Sequence, residues 1–427
     1  MQKILLFIAS LFYFNFLFSK NEIKSWQGIH ETPLSRLEQQ FAEPPVEFAN
    51  HVIWGWEGKM DKKTICNDLD SIKKKGFRAV IFEAGYKLPF KYLSEEWFKA
   101  IRTGVVEAKK RDMKVWIIDE GKYPSGFAGG KFSQERPDLR MQALVIGDTI
   151  QIKRGEVMTN HKIAPEIISA VAVSTSGAPN RTVEINNGKI SFNAGLDDWK
   201  ILLVKSDFRT AVTRAVNNPN GGKDATNSLC DYLNPVAVQQ FIDWTHKQYK
   251  KYLGKELGTT VLGFRGDEPD YAHLPWTPSI VQTFKDTKGY DPTPYLASFF
   301  TASPTIQEQR VKADYWDVWS SLFATHFFKL QADWCAANGV AHITHLNKEH
   351  EMPACVKAEG DYFRALSKVQ IPGVDAIWNQ IWPSTLNDFP KLASSVAHVY
   401  GKPRAFSESF AAYHISPTTS QPASLGK

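Results

Sequence analysis

The sequence has few cysteines and little excess charge of either sign. Its four cysteines, Cys66, Cys230, Cys335 and Cys355, form no Cys-X-X-Cys pair, and this spacing argues against a structural zinc site. One isolated disulfide is compatible with the count, without indicating which residues pair. The net charge of +6 over 427 residues is carried by scattered Lys and Arg, so the basic stripe typical of nucleic-acid-binding proteins is missing.

Long apolar runs are also rare. Residues 1–19 contain one such run, in which Lys3 is followed by apolar residues from Ile4 to Phe18. This pattern predicts a secretory signal peptide, with an N-terminal membrane anchor as the alternative. No other stretch is apolar enough to span a bilayer. We therefore expect a secreted or periplasmic protein that does not insert into the membrane after signal removal.

After a polar leader at 20–45, a short apolar strand, a polar loop and an amphipathic helix follow one another repeatedly. Seven strands are predicted, at 50–56, 77–85, 113–121, 259–267, 340–346, 372–378 and 404–410. Because these strands are almost continuously apolar, both faces of their sheet should be buried, as in a parallel sheet covered by helices.

This rhythm predicts an α/β fold, a (β/α)8 TIM-type barrel built from residues 46–140 and 214–415. A doubly wound open sheet is the alternative. The eighth strand is missing from the predicted set, and 416–427 has the composition of a linker or truncated tail. Residues 141–213 alternate with period two and contain Asn187-Gly188, a strong hairpin signal, so we expect a small inserted β subdomain there.

In such a barrel, chemistry occurs where the strands end. The polar and aromatic residues at these ends are Trp54, Trp56, Glu83, Asp119, Glu120, Asp267, Glu268, Asp270, His345, Asn347, Asp375, Trp378 and Glu408. Carboxylates and aromatics that converge on one rim are typical of glycosidases, which need a carboxylic acid and a second carboxylate. As substrate-binding residues we predict Trp54, Trp56, Asp119, Glu120, Asp267, His345, Asp375 and Trp378.

Glu268 and Glu408 are the predicted catalytic pair. The neighbouring Asp267 should raise the pKa of Glu268, as an acid that stays protonated requires. Glu408 ends the seventh strand and should face Glu268 across the barrel mouth. The alternatives are that one acid of the Glu268 cluster only pairs with Arg265, and that Glu408 is an exposed strand-end charge.

Two further segments have ambiguous roles. The glycine-rich "DEGKYPSGFAGG" at 119–130 either lets the backbone approach a ligand or forms a tight turn; it is not a phosphate loop. In "HITHLNKEHE" at 342–351, His342 and His345 are three apart on a strand and face opposite sides, which argues against zinc on this segment alone. His345 is either a wall of the pocket or a structural histidine.

Four motifs together, "DEGKYPSGFAGG", "GDEPDY", "IPGVD" and "FSESFAAY", resemble glycoside hydrolase family 106, the α-L-rhamnosidases, over residues 45–415. The resemblance implies a (β/α)8 catalytic barrel followed by β-sandwich domains. It also implies hydrolysis of terminal α-L-rhamnose in oligo- or polysaccharides with inversion, Glu268 as general acid and Glu408 as general base. Asp375 is a further rim residue of the matching region.

The resemblance also implies an active-site calcium, and we expect no organic cofactor. The calcium ligands do not match residue by residue; Glu83, Asp119 and Glu120 are candidates because carboxylates suit a hard cation. Two alternatives to an inverting rhamnosidase stay open. One is a retaining glycosidase of another family, with Glu268 as acid/base and Glu408 as nucleophile; the other is an inactive carbohydrate-binding barrel or fragment.

Overall fold

The computed structural model describes most of the predicted barrel. It covers residues 33–43, 50–121, 123–209, 213–214, 223–224, 228–271, 274–377, 380–381 and 387–409. The predicted signal peptide at 1–19, most of the leader, Trp378 and the predicted tail at 416–427 lie outside the described residues.

Strands and helices alternate in both halves of the chain. The strands are β1 His51–Trp56, β2 Ala79–Ala84, β3 Lys114–Ile118, β4 Gln142–Ile152, β5 Val157–Lys162, β6 Ile167–Ser174, β7 Arg181–Thr182, β8 Ile185–Asn186, β9 Lys189–Asn193, β10 Trp199–Phe208, β11 Thr213–Arg214, β12 Lys223–Asp224, β13 Val261–Asp267, β14 Pro275–Trp276, β15 Ala341–His345, β16 Ile371–Ala376 and β17 Phe406–Ser409. The helices are α1 Leu34–Ala42, α2 Lys62–Lys74, α3 Glu95–Lys110, α4 Lys131–Glu135, α5 Pro235–Trp244, α6 His246–Leu253, α7 Ile280–Lys288, α8 Ile306–Leu322, α9 Lys329–Ala337, α10 Met352–Glu359, α11 Tyr362–Leu366 and α12 Leu392–Val399, with a π-helical turn Phe323–Phe328 between α8 and α9.

The main sheet contains seven parallel strands in the order β1-β2-β3-β13-β15-β16-β17. Each strand pairs with the next one of the set, and the order has no reversal, so the doubly wound alternative is wrong. The sheet is a curled half-barrel. In the described part of the chain no pairing joins β17 to β1, and the closed eight-stranded barrel is therefore not observed, because closure needs every edge strand to find a partner.

The two faces of the sheet have separate cores. On the convex face, α2 and α3 pack near Trp56, Phe82 and Val115, and α6 packs on Phe264. The concave face is filled by a smaller cluster containing Ile81, Trp116, Leu262 and Ile343. Side chains alternate between these faces along each strand, and this alternation decides which residues reach the mouth.

Trp54 and Trp56 correct the prediction that they line the mouth. Both point to the convex face, where the Trp56 ring lies 4.9 Å from that of Phe82 and 5.8 Å from that of Trp97. Trp56 has no exposed surface, and the Trp54 indole hydrogen-bonds Asp68 on α2. They are core residues beneath the helices, since the two positions share a face and that face is the outer one.

The stretch between β3 and α5 contains the β-rich insertion. β4, β10, β6 and β7 form a sheet that β14 joins, so this sheet includes residues from beyond 213. β5, β9 and β8 form a second sheet. Asn187 and Gly188, between β8 and β9, have φ of 51° and 69°, the left-handed values that a two-residue hairpin turn requires.

The described chain contains four cysteines, and all are free thiols, so the disulfide that the sequence allowed does not form. None of the helices in the described ranges is both long and apolar enough to cross a bilayer.

Trp56 should matter for stability rather than for substrate binding. Trp56→Ala removes a fully buried indole from the convex core and should lower the free energy of unfolding by about 3–5 kcal/mol, measured by urea denaturation. Leu196→Ala is the control, because Leu196 is 95% exposed and its truncation should change the free energy by less than about 0.5 kcal/mol. An unchanged midpoint for Trp56→Ala would contradict the assignment.

Candidate active site

The strand ends bring five polar side chains to the concave face. Arg265 and Asp267 come from β13, His345 from β15, Asp375 from β16 and Glu408 from β17. The backbone register sets Asp267 beside His345 and Asp375 beside Glu408. In a parallel sheet, neighbouring residues in register project to the same side, so these side chains meet in one mouth.

A bulge in β13 aims Arg265 into this mouth. The register with β3 shifts between Val261 and Gly263, so Leu262 and Arg265 share the concave face although strict alternation would separate them. Gly263 permits the shift, because a Cβ there would lie 1.9 Å from the carbonyl oxygen of Ala341. The extra residue therefore turns a side chain that alternation assigns to the helices toward the site.

Arg265 is the centre of an ionic cluster. Its guanidinium, 2% exposed, forms ion pairs with Glu408 and with Asp267, the latter at 3.3 Å. The Nε2 atom of His345 lies 2.8 Å from Arg265 Nη2, 3.2 Å from Glu408 Oε2 and 3.3 Å from Asp267 Oδ1. Two carboxylates thus face two basic groups, which offsets the cost of burying each charge.

This cluster fixes the protonation of its members. Burial alone would raise the pKa of Glu408, but the charge of Arg265 and the hydrogen bond from His345 hold it below its usual value. Burial alone would lower the pKa of His345, but hydrogen bonds to Asp267 and Glu408 raise it well above its usual value. Glu408 is therefore a carboxylate and His345 an imidazolium near neutral pH.

Glu268 has the opposite character. Burial raises the pKa of its carboxyl well above the usual value, and the charges of Asp267 and Asp375 add to this. Its carboxyl hydrogen-bonds Asp375, whose pKa burial raises to about 6. Glu268 also has φ of 38°, a strained conformation for a residue other than glycine, of the kind that collects at functional sites. The pair therefore retains a proton that Glu408 lacks.

More acids lie beside this pair, in the segment from β15 to the end of α10. Glu349 accepts the backbone N–H groups of Leu346 and Asp375 on Oε1, and Glu359 accepts that of Asn347 on Oε1. The second carboxylate oxygen of each glutamate is buried and has no hydrogen-bond partner in the described structure. Burial raises the pKa of Glu349 to about 7 and that of Glu359 well above its usual value.

The glycine-rich loop organises itself around Glu120 rather than around a ligand. The Glu120 carboxylate accepts the backbone N–H groups of Gly121, Phe127, Ala128 and Gly129 at 2.5–2.9 Å. Four donors use all the acceptor positions of a carboxylate, and the side chain has no exposed surface. In this arrangement Glu120 has no acceptor position left for the substrate or the calcium ion that the sequence analysis assigned to it.

Asp119 is buried behind the mouth, on the convex side of the sheet, and is not exposed in the mouth. Its Oδ1 accepts a hydrogen bond of 2.6 Å from the Ser125 hydroxyl, which in turn accepts the backbone N–H of Asp267 at 2.7 Å. Its Oδ2 faces Gly266 on the convex side, 3.5 Å from the position of a Cβ there. Burial raises the pKa of Asp119 to about 7. Its predicted contact with substrate is not observed, because the side chain has no exposed surface.

The structure thus brings together five of the predicted residues, namely Asp267, Glu268, His345, Asp375 and Glu408. Glu83 is half-buried on the same face, and its charge contributes to raising the pKa of Arg265. Trp378 lies outside the described residues.

Sequence reasoning missed the central position of Arg265 and the acids Glu349 and Glu359. An arginine followed by an acid looks like a local pair, and a glutamate in a turn, such as Glu349, or at the end of a helix, such as Glu359, looks solvent-exposed. A signal for Arg265 was present in the glycine of "LGFRGD", since a glycine inside a strand often marks a bulge.

A metal ion fits some of these acids and not others. Single ligand atoms of Asp267, His345 and Glu408 lie within 4.8 Å of one another, but the Arg265 guanidinium already contacts all three side chains. A metal cation there would be repelled by the positive charge of Arg265. The unpartnered oxygens of Glu349 and Glu359 are better candidates, because oxygen ligands suit a hard cation such as calcium.

The site can be compared with known proteins. A protein of Formosa agariphila that carries the provisional name beta-glucuronidase is 23% identical over 433 residues, covering 88% of this chain and 35% of that protein. The structure of a rhamnosidase from Novosphingobium sp. PP1Y has a TM-score of 0.64 and 16% identity, covering 89% of this chain and 53% of that one. This chain therefore spans about a third to a half of the relatives it matches, and the structural likeness concerns the fold.

The family model for glycoside hydrolase family 106, described as alpha-L-rhamnosidase, matches residues 156–427. The matched region includes β13, β15, β16 and β17 with Glu268 and Glu408, and it covers more than half of the sequence. The chain belongs to the α-L-rhamnosidase family, glycoside hydrolase family 106.

Proposed function

We propose that this chain carries the catalytic site of a glycosidase that removes terminal α-L-rhamnose from oligo- or polysaccharides with inversion. The observation that carries the proposal is the contrast between two glutamates of one mouth. Glu268 retains a proton, while Arg265 and His345 keep Glu408 ionised. A glycosidase needs these two states at once, an acid for the leaving oxygen and a carboxylate for the opposite face of the sugar.

In this proposal Glu268 donates its proton to the glycosidic oxygen as the bond to the sugar breaks. Glu408 accepts a proton from the water that attacks the anomeric carbon. Asp375, hydrogen-bonded to Glu268, holds the acid in place. His345 and Arg265 orient Glu408 through Oε2, and in the described structure no hydrogen bond is recorded to Oε1, which is the oxygen we assign to the water.

The charge of the mouth favours a neutral sugar over a uronic acid. Asp267, Glu268, Glu349, Asp375 and Glu408 all lie around it, and the guanidinium of Arg265 is already engaged. A glucuronate carboxylate would need a basic partner, and Arg265 and His345 are already paired with Asp267 and Glu408, whereas the methyl group of rhamnose needs none. The name of the Formosa relative therefore does not change the proposal.

Two larger-scale proposals accompany this one. The unreversed order of seven parallel strands supports a complete (β/α)8 barrel, with further strand pairing at β1 and β17. The run at residues 1–19 supports secretion or a periplasmic location.

Calcium is proposed as the metal of this site. Glu349 and Glu359 would hold it through their buried unpartnered oxygens, where a cation would compensate the charge of both carboxylates, of which Glu349 also lies 3.9 Å from His345 Nδ1. The ion would supply charge compensation and oxygen coordination for sugar hydroxyls. Of the earlier candidates, Glu120 has no free acceptor position, and Asp119, whose Oδ2 is buried without a partner, lies on the convex side of the sheet, away from the mouth.

Substitution of the two glutamates should separate their roles. Glu268→Gln should lower kcat/KM for a disaccharide by about 10²–10⁴-fold, and by much less for an aryl α-L-rhamnoside with a good leaving group that needs little acid assistance. Glu408→Gln should abolish activity toward both. Glu351→Gln is the control, since Glu351 is exposed and should retain wild-type rates.

The first product tests the stereochemistry of the same reaction. Proton NMR of an α-linked substrate should show β-L-rhamnose as the first sugar released. The α-anomer would instead establish a retaining mechanism with Glu408 as nucleophile. Cleavage of an aryl β-D-glucuronide in preference to the rhamnoside would overturn the sugar assignment.

The pH profile should follow the two carboxyl groups. The rate should rise with pH as Glu408 ionises, at a pH below 4.5, because its pKa is lowered. It should fall again as Glu268 loses its proton, at a pH well above 4.5, because burial raises the pKa of that carboxyl. His345→Gln removes a positive charge that lowers the pKa of both groups, so both limbs of the kcat/KM profile should move upward by about one pH unit. His350→Gln, at a partly exposed histidine, should leave the profile in place; an equal shift there would refute the role of His345.

Calcium should stabilise the protein through Glu349 and Glu359. At about 100 times its Kd the ion should add about 2.7 kcal/mol to the free energy of unfolding, seen as an increase in Tm by calorimetry. Glu349→Gln should remove this increase, and Glu351→Gln should retain it. An equal increase with Mg²⁺, or a calcium effect that survives Glu349→Gln and Glu359→Gln together, would exclude this site.

A further inference from the structure

A second group of metal-ligating side chains lies on the opposite face of β15 from the active site. His246 begins α6, Cys335 is on α9 and His342 is on β15. All three side chains are 0–1% exposed, and single ligand atoms of the three lie within 4.8 Å of one another. Three separate elements therefore direct one thiol and two imidazoles to the same buried point.

The nitrogen atoms in this group lack hydrogen bonds. Nε2 of His246 and both ring nitrogens of His342 have no partner in the described structure. Burying a polar atom without a partner costs about 1–3 kcal/mol, so native cores rarely contain several together. The His246 ring packs 4.2 Å from the Phe264 ring and 5.3 Å from the Trp334 ring. This packing explains why the ring is buried, but not why the nitrogen atoms lack hydrogen-bond partners.

A neighbouring threonine fixes the tautomer of His246. The Thr245 hydroxyl donates its proton to the carbonyl oxygen of Phe241 at 2.7 Å and lies 2.9 Å from Nδ1 of His246. Because that hydroxyl has one proton, it must accept from Nδ1–H, which leaves Nε2 with a lone pair. Metal-binding histidines are commonly held in this way, with the other ring nitrogen donating a hydrogen bond.

We propose that His246, Cys335 and His342 bind one d¹⁰ transition-metal ion, Zn²⁺ or Cu⁺. Thiolate and imidazole are the ligands that these ions prefer, with metal–sulfur and metal–nitrogen distances of about 2.3 and 2.0–2.1 Å. The three ligand atoms, which lie within 4.8 Å of one another, would approach a common point to reach such distances. On binding, the Cys335 thiol loses its proton to solvent and the sulfur–metal bond forms in its place.

The ion would connect α6, α9 and β15 behind the sheet. β15 carries His342 toward the helices and, three residues later, His345 toward the mouth. A metal bound to His342 would therefore hold the strand that positions the active-site imidazole. The role is structural, and the site shares no residue with the proposed calcium site.

The metal content of the full chain tests the proposal. The purified protein, incubated with Zn²⁺ or, under reducing conditions, with Cu⁺ and then dialysed, should retain about one ion per chain by mass spectrometry, as closed sites of this kind do. The element retained distinguishes the two ions. Cys335→Ser should lower this content at least about tenfold, the loss expected when a ligand is removed. Cys355→Ser is the matched control, a buried free thiol outside the group, and should retain the metal.

A second measurement does not depend on any variant. Co²⁺ added to the metal-free chain should give a thiolate-to-cobalt charge-transfer band, and Zn²⁺ should displace it and raise the Tm. Retention of metal by Cys335→Ser, or a wild-type chain that binds neither Zn²⁺ nor Cu⁺ and gives no cobalt band, would overturn the proposal.

Discussion

The buried guanidinium of Arg265 is the interaction on which the rest of the mouth depends. It contacts Asp267 of its own strand, His345 of β15 and Glu408 of β17. Isolated burial of such a charge would cost several kcal/mol. Here β13 and β17 place two carboxylates around it, so the sheet geometry and the protonation of the site are linked.

The difference between the two glutamates follows from this arrangement. Asp267 and Glu408 pair directly with Arg265 and His345, whereas for Glu268 and Asp375 burial outweighs the charge of His345 and raises the pKa of both. A further buried carboxyl near ionised ones is more stable when protonated. Acid and base character are thus assigned by which carboxyl lies nearest Arg265, although both side chains are glutamates at strand ends.

Much of the fold and part of the site could be predicted from the sequence. Apolar runs located all seven parallel strands, and strand ends located Asp267, Glu268, His345, Asp375 and Glu408. The failures have a common physical origin. Trp54 and Trp56 lie on a strand whose two faces are both apolar, so the pattern could not tell inside from outside. Glu120 was predicted to bind a ligand because its actual partners are backbone N–H groups, and the sequence gives no sign of such partners.

The closed barrel could not be decided from local pattern either, since seven strands of the right kind are compatible with an open sheet. The bulge at Gly263 is a similar case. It changes which face Arg265 occupies through one extra residue, and only contact with the Ala341 carbonyl explains why that residue is glycine.

β15 shows how much function a short strand can carry through alternation alone. His342 and His345 are three residues apart, so they face opposite sides of the strand, as the sequence indicated. Each histidine instead meets ligands supplied by distant parts of the chain: His342 meets His246 and Cys335, and His345 meets Arg265, Asp267 and Glu408. Local spacing excludes a local site, but it cannot exclude two sites assembled from either side of the same strand.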